Sequence, residues 1–372
     1  MNNNIKNIIL PLICALFIGF FSAAFLLKGE TEYSNSERRY LAKFPELTFE
    51  TISKQDDNFM DHFETYSLDQ FPLRDGMRTI KALSEYFIFG KLDNNGYYMQ
   101  NGHISKKEYP QNDKMLDYAA GKINSAVEKY MKDKGCNVYF SLIPDKNVFL
   151  ADKRGVLSLD YAKFESDILG RLDNVKYIDV FDMLSADDFY YTDQHWKQEN
   201  IIPIASAISQ GMGNTLKDAY ETVKLDVPFY GTYYSQAAIP SKPDEIKYLT
   251  NETIKSCTVK RMNDLGAMVD MDMYVLEKTK GLDPYEMYLG GTQAFITIEN
   301  PNSATDKELV IFRDSFGSSL APLLAESYKK ITVVDFRYIV GDIACSLIDW
   351  DSTDDVLFMY STIILNNSTS MK

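Results

Sequence analysis

Two short segments of this 372-residue sequence carry the residue types of nucleophilic acyl chemistry. The first is ELVIFRDSFGSSLAPLLAESYKKITVVDFR, residues 308–337. Ser315 stands just after an apolar run that reads as a buried strand and just before a stretch that reads as a helix. In open α/β sheets ligand chemistry gathers at that edge. A serine there projects from the sheet, and its own N–H together with the helix N-terminus can stabilise a developing oxyanion. Gly317 allows a tight turn and close approach of a substrate. Ser315 could instead only cap the helix, although Ser318 and Ser319 could do so equally well. The second segment is FYYTDQHWKQEN, residues 189–200. A serine hydroxyl is a poor nucleophile without a base. His195 can take its proton, and Asp193, two residues away, can fix the ring tautomer and stabilise the imidazolium. A structural loop histidine is the alternative. Against it, Tyr190, Tyr191, Asp193, His195 and Trp196 crowd one loop, whereas His62 and His103 have no such setting. Trp196 could wall a site or anchor the loop in the core.

The elements around these segments read as α/β. Asn137–Ile143 is a short apolar strand, 157–172 is helical, and 175–180 is the next strand. A helix over 201–212 ends near Gly213. Strand 308–312 is followed by a helix over about 318–329, strand 331–335, a helix near 340–348 and strand 356–360. Strands alternating with helices imply a parallel sheet covered on both faces. Upstream, 61–89 has apolar residues at helical spacing broken at Pro72. Residues 96–105 read as a hairpin around Asn101-Gly102, and 115–134 as an amphipathic helix ending at Gly135. Between about 220 and 300 the periods are mixed, which suggests a strand-rich insertion.

Composition narrows the function classes. With 39 basic against 53 acidic residues the net charge is −14, which argues against nucleic acid. The 25 Tyr and 22 Phe suit a large core, or exposed ring faces for sugar stacking. The cysteines, Cys14, Cys136, Cys257 and Cys345, match no zinc spacing. Buried free thiols are expected, or one disulfide with a thiol left over. Residues 8–27 hold no charge, enough to span the ~30 Å hydrocarbon core of a bilayer as a helix. An uncleaved signal anchor with the body outside is expected, a cleaved signal being the alternative. The expected organisation is therefore 1–28 as anchor, 29–60 as juxtamembrane linker and 61–372 as the catalytic domain.

TDQHW together with RDSFGSSLAPLLAESY resembles the DHHW family of extracytoplasmic proteins, a group similar to the AlgX/AlgJ-like polysaccharide O-acetyltransferases. SERRYLAKFPELTFE, DQFPLRDGMRTIK, YLGGT and VDFRY resemble the same family, so the likeness runs over nearly the whole chain after the anchor. The resemblance implies a three-layer, circularly permuted SGNH-hydrolase-like fold with a mainly parallel sheet. It implies Ser315 as nucleophile, His195 as base and Asp193 as acid. Gln194 stands where the family name has His, a position without a triad role. The resemblance also places Gly290 and Gly291 near the site as candidate oxyanion donors, although a plain β-turn fits them too. Arg313, Arg337, Tyr191 and Trp196 are further candidate substrate contacts. Neither metal nor diffusible cofactor is implied. The implied partners are a polysaccharide acceptor and a multi-spanning membrane-bound O-acyltransferase as acetyl donor. Three functions follow: an O-acetyltransferase, a carbohydrate esterase with the same triad, and a non-catalytic glycan-binding or assembly protein.

Overall fold

The computed structural model describes residues 3–49, 58–216 and 219–372. Residues 50–57, inside the expected linker, lie outside the described residues. The chain forms two compact units, one of residues up to 91 with 238–240 and one of 92–237 with 241–372.

The larger unit is built on a mixed sheet of eight strands: β1 Asn137–Ile143, β2 Lys176–Tyr177, β3 Thr258–Met262, β4 Met268–Met271, β5 Phe295–Glu299, β6 Glu308–Arg313, β7 Lys330–Val334 and β8 Asp355–Ser361. Their order is β4-β3-β5-β7-β6-β8-β1-β2. The run β7-β6-β8-β1-β2 is parallel. The strands β5, β3 and β4 extend it antiparallel. Alternation along each strand sends side chains to opposite faces. Leu309, Ile311, Leu357 and Met359 pack on one face against helix Ile202–Gly211 and the segment after Ser315. Val310, Phe312, Val356 and Phe358 pack on the other, against helices Asp113–Ala126 and Tyr161–Leu169. Helices on both faces leave the central strands dry, which is why β8 is buried at every residue. All five parallel strands deliver their C-terminal ends to one edge, where Lys146, Ser315, Asp335 and Thr362 follow β1, β6, β7 and β8.

Several elements differ from the sequence expectation. The strand-rich stretch supplies β3, β4 and β5, which widen the main sheet. Only the hairpin Glu221–Phe229 with Asp244–Thr250 stands apart as its own sheet. Strand 175–180 shrinks to β2, since the Asp179 carboxylate accepts the Phe181 N–H at 2.9 Å and turns the chain away. The helix after Ser315 starts earlier, at Phe316, and tightens to a 3-10 helix over Ala321–Ser327. Pro322 has no N–H with which to continue an α-helix.

The smaller unit begins with an apolar helix, Asn3–Leu27. Its stretch Asn7–Leu27 has mean hydropathy 2.5 and is long and apolar enough to cross a membrane. Within this unit, helices Phe59–Asp69 and Arg74–Phe87 flank Pro72, with Leu73 in the left-handed region at φ 57°. Asp69 ties the unit together. Its carboxylate takes two Arg39 hydrogen bonds, at 2.8 and 2.5 Å, and the Ala42 N–H at 2.9 Å.

Candidate active site

Ser315 is positioned by the strand before it and the helix after it. Asp314, fully buried, pins the turn: its carboxylate accepts the Phe316 N–H at 3.0 Å and the Ser361 N–H at 2.7 Å, linking the ends of β6 and β8. Gly317 is needed for close packing, since a Cβ there would lie 2.6 Å from the Arg313 Cβ and 3.0 Å from the Met359 Cε. Ser315 stands at the N-cap position, but its side chain caps nothing. Its hydroxyl lies 2.7 Å from His195 Nε2. The same ring places Nδ1 2.5 Å from Asp193 Oδ1. An ionised carboxylate only accepts, so Nδ1 carries the proton and Nε2 accepts from the serine hydroxyl. That is the tautomer a general base requires.

The Asp193 carboxylate is buried and fully engaged. Oδ1 also accepts the His195 N–H at 3.0 Å, and Oδ2 accepts the Thr232 N–H at 2.7 Å. Burial pushes its pKa up, but the nearby His195 and these hydrogen bonds outweigh that and hold it well below the usual carboxylate range. The carboxylate is thus ionised at neutral pH. The Ser315 N–H donates to no protein group among the described residues, which leaves it open to an oxyanion.

With that geometry in place, the likeness to known proteins takes on structural content. Residues 153–334 match the family model described as DHHW protein. The resemblance to the DHHW family stands. A DHHW family protein from Eubacterium siraeum is similar in structure at 22% identity, with a TM-score of 0.61 over 75% of this chain and 95% of that one. Bacillus cereus PatB1 is similar at 18% identity, with a TM-score of 0.59 over 73% of this chain and 97% of that one. Its structure has also been determined with a sulfonyl adduct. The O-acetyltransferase domain of Pseudomonas putida AlgJ is a more distant match, at 11% identity and a TM-score of 0.43 over 73% and 92%. No curated protein matches the chain in sequence. The first two likenesses share the α/β fold.

The other sequence-derived candidates of this DHHW-like chain fall in varied places. Trp196 is fully buried, donates to Ser319 Oγ at 2.8 Å and meets Phe316 edge-on at 5.2 Å, so it anchors the loop. Tyr191 is 40% exposed, its ring stacked on His103 at 4.1 Å. Arg313 lies inside the fold, its guanidinium 3.2 Å from Asp335 and in reach of the Asp314 and Gly291 carbonyls. Arg337 is also held by Asp335, at 2.9 and 2.7 Å. Gly290 and Gly291 have φ of 68° and 74°, and the Gly291 N–H is engaged with the Tyr288 carbonyl at 3.1 Å. Gln194 brings its amide nitrogen to 3.4 Å from His195 Nε2.

Several neighbours of the site gave no sequence signal. Tyr285 lies flat on the His195 ring, centroids 3.8 Å apart and planes 4° from parallel, and its hydroxyl meets Ser319 Oγ at 2.9 Å. Asp244 accepts the N–H groups of Tyr191 and Thr192, both at 2.8 Å. Gly231 passes so close to Asp193 that a Cβ would sit 2.2 Å from the aspartate Cβ. Lys146, just beyond β1, reaches beneath the same loop.

Proposed function

We propose that this chain is an extracytoplasmic O-acetyltransferase that passes acetyl groups through an acetyl-serine on Ser315 to a cell-surface or secreted polysaccharide. The observation that carries the reading is the unbroken chain Ser315–His195–Asp193, at 2.7 and 2.5 Å with the base in the productive tautomer. The resemblance to the DHHW family supports the acetyl-transfer assignment. The apolar helix Asn7–Leu27 supports a membrane anchor with the site outside. In this reading 1–28 is the anchor, 29–60 the linker and 61–372 the catalytic domain. Acetyl groups would then come from a membrane-bound O-acyltransferase, since cytosolic donors lie on the other side.

In the first half-reaction His195 Nε2 takes the Ser315 proton as Oγ attacks the acetyl carbonyl. The Ser315 N–H faces the oxyanion, and the donor leaves with the proton. In the second half-reaction a sugar hydroxyl gives its proton to His195, attacks acetyl-Ser315 and regenerates the serine. Water in that place would make the protein an esterase.

The deciding experiment gives the protein p-nitrophenyl acetate with and without a glycan acceptor, beside Ser315→Ala. Ser315-dependent release with acetyl appearing on glycan supports the transferase. Release to water alone, with any glycan offered, favours the esterase. Equal behaviour of Ser315→Ala removes the reading and leaves a glycan-binding or assembly role ahead. Labelling by a sulfonyl fluoride, followed by mass spectrometry of the peptide holding Ser315, tests the nucleophile by itself.

A further inference from the structure

We propose that Lys146 is a positioning residue for the acid–base pair, its ammonium group clasping the loop of Asp193 and His195 to the end of β1. The proposal rests on the triad reading above. Lys146 follows β1 and a single turn of chain. Its side chain is buried, only 1% of the residue being exposed. Nζ donates to the carbonyls of Asp193 at 2.6 Å, Tyr190 at 2.9 Å and Tyr191 at 3.3 Å. An ammonium has three donors and no acceptor, so three carbonyls use it completely. The loop between Phe189 and Trp196 has no regular ladder of its own beyond one bridge between these two residues. The Tyr191 carbonyl also takes the Ile104 N–H at 2.7 Å, whereas those of Tyr190 and Asp193 turn to the ammonium, and buried carbonyls without a donor are costly. Lys146 supplies it from the end of β1, one of the strand ends gathered at the same sheet edge as Ser315.

The surroundings fit a charged clasp. Asp193 on the loop, Asp244 on the hairpin and Asp145 on the adjoining residue all favour the protonated form, while Lys197 opposes it. His103 lies within the field of the same charge. The Tyr233 ring sits 5.2 Å from Nζ and covers the group on another side. Burial pulls the ammonium down to about 7, so the proton that completes the clasp is held close to neutral pH. The cation also lies beside the loop where His195 must become positive during turnover. Its removal changes the charge beside that loop, which the pH profile of turnover reads.

The test uses the full chain in detergent, with Lys146→Met and Lys146→Gln beside wild type and Ser315→Ala. For Lys146→Met, kcat with p-nitrophenyl acetate is expected to fall about tenfold or more with KM little changed, because a small displacement of a reacting group is enough for that loss. The acid limb of kcat against pH is expected to move. A residue that only adds stability would leave that limb in place. Lys146→Gln keeps donors for part of the carbonyl cluster and is expected to fall between; it carries the test if Lys146→Met does not fold. The low-field NMR signal of the His195 Nδ1 proton is followed in the same samples and is expected to shift or broaden in both variants. A folded variant with wild-type kcat, acid limb and proton signal overturns the proposal. If Ser315→Ala proves as active as wild type, the catalytic reading fails separately, and the clasp is judged on the proton signal alone.

Discussion

The two halves of the candidate site are held in place by opposite means. The Ser315 turn is positioned along the chain: a buried strand leads into it, a helix leads out, and Asp314 fastens it to the adjoining strand end. The loop carrying Asp193 and His195 is positioned across the chain. Lys146 holds its carbonyls, Asp244 and Thr232 hold its polar groups, and the Tyr285 ring lies on the histidine. The nucleophile is thus fixed by secondary structure and one side chain of its own segment. A base that must accept and release a proton at a set distance here depends on groups drawn from four other segments. Damage to the turn should act on the nucleophile directly, whereas damage to the loop should act through geometry and charge.

The largest effect is expected at the turn. Ser315→Ala should lower turnover of acetyl esters by roughly 10⁵-fold, since loss of a triad nucleophile removes nearly all of the covalent route. Its melting temperature should be near that of wild type, which differential scanning fluorimetry will read. Next is Asp193→Asn, expected to cost about 10³- to 10⁴-fold. An amide in that place can present its N–H to the ring and favour the wrong tautomer. Asp193 is ionised at neutral pH, so no loss of activity near neutrality should come from its own titration. An Asp193→Asn enzyme with wild-type turnover would mean that the loop is not the acid–base half at all.

The same asymmetry explains what the sequence revealed. The continuous apolar runs in ELVIF and VLFMY mark central strands, and a serine after such a run marks the sheet edge, so the turn is readable within one segment. Asp193 and His195 are readable as a pair because they sit two residues apart. What holds them is not. Lys146 looks like any surface lysine, since lysines are seldom buried, and Asp244 lies in a hairpin with no local mark of importance. Tyr285 is one aromatic among many, and nothing short of the fold puts it on the His195 ring. The stretch 220–300 reads as strand-rich, but the place of its strands in the main sheet was not legible, because antiparallel strands at a sheet margin, solvated on one side, lack the continuous apolar run that marks a parallel core strand. Arg313 is a candidate by its place near a strand end, and its pairing with Asp335 was likewise not legible in the sequence.

Gly231 sharpens the contrast from the loop side. A methyl group there would lie 2.2 Å from the Asp193 Cβ and 2.5 Å from its Cα. Backbone has to move, and the aspartate with it. Gly231→Ala is therefore expected to lower turnover about 10²-fold, the scale of a misplaced catalytic group. Gly317→Ala is the matched change at the turn. It meets the Arg313 side chain and Met359, and overpacking of this kind costs about 1–3 kcal/mol of stability. A Gly231→Ala protein that melts early but turns over normally would show the loop to be as tolerant as the turn.

The smallest effect concerns how the loop answers to pH. His103 is buried under Tyr191, and its Nδ1 has no partner among the described residues. Burial, with the charges of Lys146 and Lys197, brings its pKa down to about 4 from an ordinary 6.5, against the pull of Asp187. Between those two values the unfolded chain binds a proton that the folded protein does not. Stability therefore rises with pH across that window and is lost as the solution is acidified through it. The span is worth about 2 kcal/mol after allowance for the exposed Asp187 nearby. His103→Asn should remove this part of the slope, so that the gap in unfolding free energy between pH 4.5 and 7 narrows by that amount in urea titrations. Ser315→Ala should keep the full slope, because it leaves His103 in place. An unchanged slope in His103→Asn would place the acid sensitivity elsewhere.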